Sequence, residues 1–335
     1  MNIKTTPKVE LHRHLDCSMR FSTMLEIASQ LELKLPLAIE EQKKFFLLTN
    51  PMENLGMALG KFRMAQTLLY STQVLERVAF ETVLEAANEN TKLLELRYSP
   101  TFISEGHPNL TWEDIHSAFL TGIKKAQKLH KIAVGLIIII QRTLPLSVAD
   151  SVIDFAINHK ENVIAIDLAD NEDGFEAHIF AKAFLRAKNA GLHITVHAGE
   201  IPTLQSINNI ESSILQLGAE RIGHGIQSIK SLKVLKLLKE NKIPLEVCPT
   251  SNYYTQSIQK LKQHPLRSLV NAEILVTIST DDPGIFDYTL EQELNVVQEI
   301  LGFSETEIFK MQQTAFKYSF ITHNEKLPFE SFFEV

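Results

Sequence analysis

From Leu93 onward, short apolar runs recur about every thirty residues, with helix-like spacing between them. The runs are Leu93–Tyr98, Ile132–Gln141, Val163–Ala169, Ile194–Ala198, Arg221–His224, Leu245–Cys248 and Leu275–Thr280; with Val9–Leu15 near the start they number eight. Runs this short, apolar on both faces, predict strands of a sheet that is covered on both sides. Between them, Thr111 followed by Asp114 predicts a capping box opening a helix that runs to His130, and Ser147 is placed to cap a helix running to His159. Further helices are expected over Glu176–Ala190, Thr203–Leu217, Ser231–Glu240 and His264–Asn271. Strands alternating with helices imply a parallel sheet, and eight is the number that closes an α/β barrel of the (β/α)8 TIM type. An open doubly wound sheet is the competing arrangement, but no Gly-x-Gly-x-x-Gly follows any of the runs.

Between the first and second runs nothing alternates like a strand. Phe21–Gln30 has helical spacing through Met24, Leu25, Ile27 and Ala28; Leu31–Glu53 is polar and marked by prolines; Thr72–Asn90 reads as a long amphipathic helix. A helical insertion over about 17–91 is therefore expected after strand one, and the tail Leu290–Val335 reads as extra helices packed on the barrel. No Pro/Gly/Ser-rich linker, low-complexity tract or internal repeat divides the chain, so residues 1–335 are expected to form a single domain.

Composition adds mostly exclusions. The chain has 335 residues, 44% of them hydrophobic, enough for a large core. Acidic residues outnumber basic ones 40 to 33, and no basic block stands out, so a nucleic-acid partner is not expected. Pairs such as Lys124-Lys125 suit a solvated helix face. The longest apolar run, Ile132–Ile140, is far too short to span a bilayer, and Met1–Pro7 carries no apolar segment of a secretory signal. Two cysteines, Cys17 and Cys248, do not make a disulfide framework; buried thiols in a reducing cytoplasm are the expectation. Oligomeric state is not encoded in these patterns.

Chemistry-bearing residues fall where the strands end. His12 and His14 project from one face of the first strand, roughly 7 Å apart, and can grip a metal together. Strand five ends in His197-Ala198-Gly199-Glu200, strand six in His224-Gly225, and strand eight in Thr280-Asp281-Asp282-Pro283-Gly284. In a barrel these ends converge on the face that carries active sites. His12, His14, His197 and Asp281 would make a mixed nitrogen and oxygen site suited to zinc, with room for a water whose pKa falls to roughly 7. Glu200 and His224 are then candidates for general acid and base. Taken singly each has a plainer reading: His224 as a core histidine, Asp281-Asp282 as a turn, Glu200 as the start of a helix. Their coincidence at strand ends on one face is what favours a site. The other eight histidines lie mostly in helices or loops and are given no function.

Seven motifs resemble those of the adenosine deaminase family of the amidohydrolase superfamily. They are His12-Arg13-His14-Leu15-Asp16, Glu95-Leu96-Arg97-Tyr98-Ser99-Pro100, Ile166-Asp167-Leu168-Ala169, His197-Ala198-Gly199-Glu200, Arg221-Ile222-Gly223-His224-Gly225, Cys248-Pro249-Thr250-Ser251-Asn252 and Ser279-Thr280-Asp281-Asp282-Pro283-Gly284. The resemblance implies hydrolytic deamination at C6 of a purine nucleoside, adenosine or deoxyadenosine giving inosine or deoxyinosine and ammonia, by hydroxide held on one zinc per chain. It implies that His12, His14, His197 and Asp281 hold the zinc, that His224 orients and deprotonates the water, and that Glu200 protonates N1. Asp282 matches the position that bonds N7, and Asp16 and His14 lie in the motif that meets the sugar. Donation by Glu200 and Asp282 requires protonated carboxyls, so raised pKa values are expected. Two positions depart from the family's common glycine: Cys17 after His-Leu-Asp, and Asp170 after Asp-Leu-Ala, where the backbone N–H approaches purine N3 and an added carboxylate bears on specificity. Adenine deaminase, deamination of a 5′-modified 6-aminopurine nucleoside, and another amide or ester hydrolase on the same barrel remain alternatives. Strand four carries no lysine of the kind that bridges two metals, which argues for one ion.

Overall fold

The computed structural model describes residues 3–52 and 55–334; positions 53 and 54, inside the expected insertion, and the extreme ends lie outside the described residues. Eight strands form one sheet in sequence order: β1 (Lys8–His14), β2 (Thr91–Tyr98), β3 (Ala133–Gln141), β4 (Val163–Ala169), β5 (His193–Ala198), β6 (Arg221–His224), β7 (Leu245–Val247) and β8 (Val276–Ile278). Every neighbouring pair is parallel. The ring closes between the end of β8 and β1: Asp281 N–H donates to the His12 carbonyl at 3.0 Å, and His14 N–H donates to the Asp281 carbonyl at 2.8 Å. This is the expected (β/α)8 barrel.

Between β1 and β2 stand α1 (Phe21–Gln30), α2 (Ile39–Phe46), α3 (Leu55–Leu68) and α4 (Thr72–Asn88). The first and last of these match their apolar spacing. The polar stretch 31–53 hides α2, which buries only Phe46, so a one-residue anchor left no periodic trace.

Around the barrel come α5 (Pro100–Ser104) and α6 (Trp112–Gln127) after β2, α7 (Leu146–Asn158) after β3, α8 (Ala181–Asn189) after β4, α9 (Leu204–Ser212) after β5 and α10 (Leu232–Asn241) after β6. After β7 stand α11 (Pro249–Tyr254) and α12 (Leu266–Asn271), and after β8 the tail forms α13 (Pro283–Phe286), α14 (Leu290–Glu299), α15 (Glu305–Tyr318) and α16 (His323–Lys326). The capping box at α6 forms as expected, with Thr111 and Asp114 each bonding the other's backbone N–H. The expected cap at Ser147 does not: α7 starts two residues earlier, with Pro145 at its N-cap and Ser147 inside the first turn. Proline fits there because its fixed φ suits a helix start and the first-turn N–H groups lack helical partners in any case.

One apolar layer lies between strands and helices, for example Leu94, Leu96, Ile138, Ile166 and Ile194 against Phe119, Ile153 and Phe184. A second seals the N-terminal end of the barrel, where Val9, Leu11 and Leu93 meet Ala315, Ile321, Phe329 and Phe333 of the tail. The opposite, C-terminal end is left to polar side chains. No helix among the described residues is long and apolar enough to cross a membrane.

Candidate active site

The strand ends carry the chemistry because the backbone turns sharply there. His224, Asp281 and Asp170 have φ of 60°, 68° and 81°, in the left-handed region that disfavours side chains. Holding a functional side chain in such a conformation needs firm anchorage. Glu172 supplies it for the β5 end: its carboxylate accepts from the N–H groups of Gly199, Glu200 and Ile201 at 3.1, 2.8 and 3.1 Å, and from Ser206 Oγ at 2.8 Å.

One ligand atom from each of His12, His197, His224 and Asp281 lies within 4.8 Å of the others, and His14 groups in the same way with Asp281 and Asp282. Asp281 Oδ1 stands 3.1 Å from His12 Nε2 and 3.2 Å from His14 Nε2. His14 Nε2 and His197 Nε2 face one another at 3.2 Å. The far nitrogens show what those near ones carry. His12 Nδ1–H donates to Glu246 Oε2 at 2.8 Å, and His197 Nδ1–H to Asp167 Oδ1 at 3.0 Å, so in each ring Nε2 is the nitrogen left to face the centre of the site. Imidazole nitrogens and a carboxylate gathered this closely are the donor set that a shared cation takes.

The electrostatics agree. Burial keeps His197 neutral, pushing it down to about 3 in spite of Asp167. Burial also works against a charge on His14, yet the carboxylates of Asp282, Asp281 and Asp16 outweigh it and push that imidazole up to about 9. The site draws positive charge. Its mixed imidazole and carboxylate donors, with second nitrogens held by carboxylates, fit a divalent metal.

The orienting carboxylates are themselves tied together. Arg97 donates to Asp167 Oδ2 at 2.7 Å and to Glu246 Oε2 at 2.8 Å, and Arg221 Nε donates to Glu246 Oε1 at 2.6 Å. All four side chains are fully buried. One guanidinium thus fixes the partners of both His12 and His197.

The remaining sequence-predicted residues line the same mouth, with one exception. Glu200 Oε2 and Asp281 Oδ2 each lie 3.8 Å from His224 Nε2, too long for a hydrogen bond and bridgeable by one oxygen atom. Glu200 Oε1 accepts from Thr255 Oγ1 at 2.9 Å and Ser257 Oγ at 3.2 Å. Asp282 is pushed well above the usual carboxyl range by burial and by the neighbouring Asp281 and Asp16, the direction that a donor to a ring nitrogen requires, and the Cys17 thiol is buried beside it. Asp16 is buried, with Oδ2 accepting from Ser99 N–H at 3.0 Å and Oδ1 without a hydrogen-bond partner. Asp170 stands apart. Its exposed carboxylate is turned to Thr143 Oγ1 at 2.5 Å and Gln141 Nε2 at 3.3 Å on the rim.

The motifs alone single out neither Glu172, Glu246, Arg97 and Arg221 nor Ser251, which donates to Asp281 Oδ2 at 2.6 Å. A signal existed for most of them: charged residues inside runs buried on both faces need charged partners.

A family model described as adenosine deaminase matches residues 7–331. The adenosine deaminase of Shewanella loihica is 33% identical over 321 residues, 96% of this chain and 96% of that protein. Among solved structures, an N6-mAMP deaminase from Arabidopsis superposes with a TM-score of 0.85 at 29% identity, covering 99% of this chain and 98% of that one. An adenine deaminase from Arthrobacter aurescens gives 0.88 at 23% identity over 98% of both chains, a likeness of fold.

Proposed function

Since the chain belongs to the adenosine deaminase family, we propose that it hydrolyses adenosine and deoxyadenosine at C6, giving inosine or deoxyinosine and ammonia, with one zinc ion held by His12, His14, His197 and Asp281. The observation that carries this reading is the convergence of imidazole nitrogens and the Asp281 carboxylate beside Glu200 and Asp282. When bound, the ion supplies Lewis-acid chemistry that makes a water nucleophilic at neutral pH.

The chain's own residues supply the rest. Asp281 takes one proton from the attacking water as its oxygen bonds to C6, and the displaced π pair on N1 takes a proton from Glu200. Collapse reverses the loads: the hydroxyl proton returns to Glu200, Asp281 protonates the leaving amine, and the C6–N bond breaks to release ammonia. His224 orients the oxygen through Nε2. Asp282 donates to N7, and the Asp170 N–H is available to N3 at the rim. Asp16 Oδ1, buried without a partner, is suited to accept from a sugar hydroxyl, with His14 beside it. A free acceptor at that place favours a nucleoside over a free base. A cytoplasmic location goes with the reading, supported by two free, buried cysteines.

The test is ammonia release and ultraviolet change on zinc-loaded protein with adenosine, deoxyadenosine, adenine, 5′-methylthioadenosine, AMP and N6-methyl-AMP. Turnover confined to adenine or to the nucleotides would overturn the substrate. Glu200→Gln is expected to keep the metal and lose roughly 10² or more in kcat, whereas His197→Ala should lose both metal and activity.

A further inference from the structure

Two buried side chains reach the site from behind without meeting anything that reacts. His264, just before α12, is 6% exposed, and the Leu266 N–H donates to its Nδ1 at 3.0 Å. A backbone N–H can only donate, so Nδ1 is the acceptor and the neutral ring carries its proton on Nε2. Burial keeps the ring neutral, holding it down at about 3. Nε2 faces Asn252 Oδ1 at 3.2 Å and donates to it. The carboxamide is thereby oriented, with its oxygen engaged and its Nδ2 turned to His224 Nδ1 at 3.1 Å. An amide NH2 donates, so His224 Nδ1 accepts. Neutral His224 must then carry its proton on Nε2, the nitrogen that faces Glu200 and Asp281.

We propose that His264 and Asn252 are positioning residues that lock His224 in its Nε2–H tautomer, so that His224 acts as a hydrogen-bond donor to the oxygen added at C6 and takes no proton from the water. The proposal rests on the deaminase reading for its consequence, though the tautomer itself does not depend on substrate. The opposite tautomer would turn a lone pair toward the Asp281 carboxylate and leave the Asn252 amide without an acceptor. The locked one places a donor where negative charge grows on oxygen, and leaves Asp281 as the single base for the water proton. This replaces the expectation that His224 deprotonates the water.

The experiment is long-range 1H–15N correlation of 15N-histidine-labelled protein, zinc-loaded and without substrate, with His224 assigned through a His224→Gln variant. The expected result is His224 with Nε2 protonated and Nδ1 bare. In His264→Phe the proton should shift wholly or partly to Nδ1, with kcat lowered roughly 10- to 100-fold, KM and zinc content unchanged, and substantial rescue in His264→Gln, whose amide can donate to Asn252. Should His264→Phe fold poorly, Asn252→Asp tests the same step, because a carboxylate cannot donate to Nδ1 and should draw the proton there. A wild-type His224 protonated on Nδ1, or variants in which the tautomer stays put, would overturn the proposal. A bare Nδ1 in a protein that turns over no purine would leave the tautomer standing and sink the deaminase reading instead.

Discussion

Gly223 lacks a side chain because His12 occupies the place where one would stand: a Cβ there would lie 2.9 Å from His12 Cε1 and 3.3 Å from the His197 Cα. His12 cannot yield easily, since Glu246 holds its Nδ1 and Arg97 and Arg221 hold Glu246. Gly223→Ala is therefore expected to fold and to bind zinc roughly 10- to 100-fold more weakly, as disturbance of ligand orientation generally does; a competitive chelator titration checks it, and wild-type affinity would show that His12 has room to move. At the same scale, the departure at Cys17 acquires a physical meaning. Its thiol is buried and kept well above the usual thiol range by that burial and by Asp282, Asp16 and Asp281 around it. The departure at Asp170 has a different one: the side chain is spent on Thr143 and Gln141 at the rim.

Elements were legible to the degree that they bury two faces. Ile137–Ile140 and Leu93–Leu96 could be read as strands because hardly a position along them meets water, whereas α2 and α3 left weak traces. Charged residues within the strands were visible as motif letters, but their pairing was not. Arg97 on β2 reaching Asp167 on β4 and Glu246 on β7 is a contact across the barrel that no spacing along the chain records. Helix packing holds the same lesson. α4 and α6 approach so closely at Gly122 that a Cβ would lie 2.2 Å from the Glu76 carbonyl and 2.9 Å from the Phe80 nitrogen, both backbone atoms of α4. Gly122→Val should push the helices apart and cost about 1–3 kcal/mol or more, seen as a lowered denaturant midpoint with kcat of the folded fraction little changed. An unchanged midpoint would mean the two helices slide freely.

At the scale of the molecule, the site and the stability of the barrel share groups. Glu293 on α14 accepts the Thr250 N–H at 2.9 Å and meets the Thr250 hydroxyl, tying the tail to α11, which carries Ser251 and Asn252. Burial pushes this carboxyl up to about 8, with the charges of Glu10 and Asp281 adding to the effect. In the unfolded chain it ionises near 4.3, so between those values the native state keeps a proton that the unfolded state has released. Stability from this group is whole below the lower value and drains away as pH rises through the upper one. Glu293→Gln, neutral throughout, should lose less Tm than the parent between about pH 5 and 8 at matched zinc loading; parallel Tm curves would place the Glu293 proton elsewhere.

The join between first and last strands has a consequence of its own. Arg13 and Asp281 make the bridge there, so the residue whose carboxylate is proposed to hold the ion also hydrogen-bonds both flanking histidines through its backbone. A cooper would recognise the arrangement: the hoop is fastened at the tap. On the proposed ligand set, stripping the ion would weaken the seam at which the cylinder is fastened, and demetallation and the first step of thermal opening would become the same event.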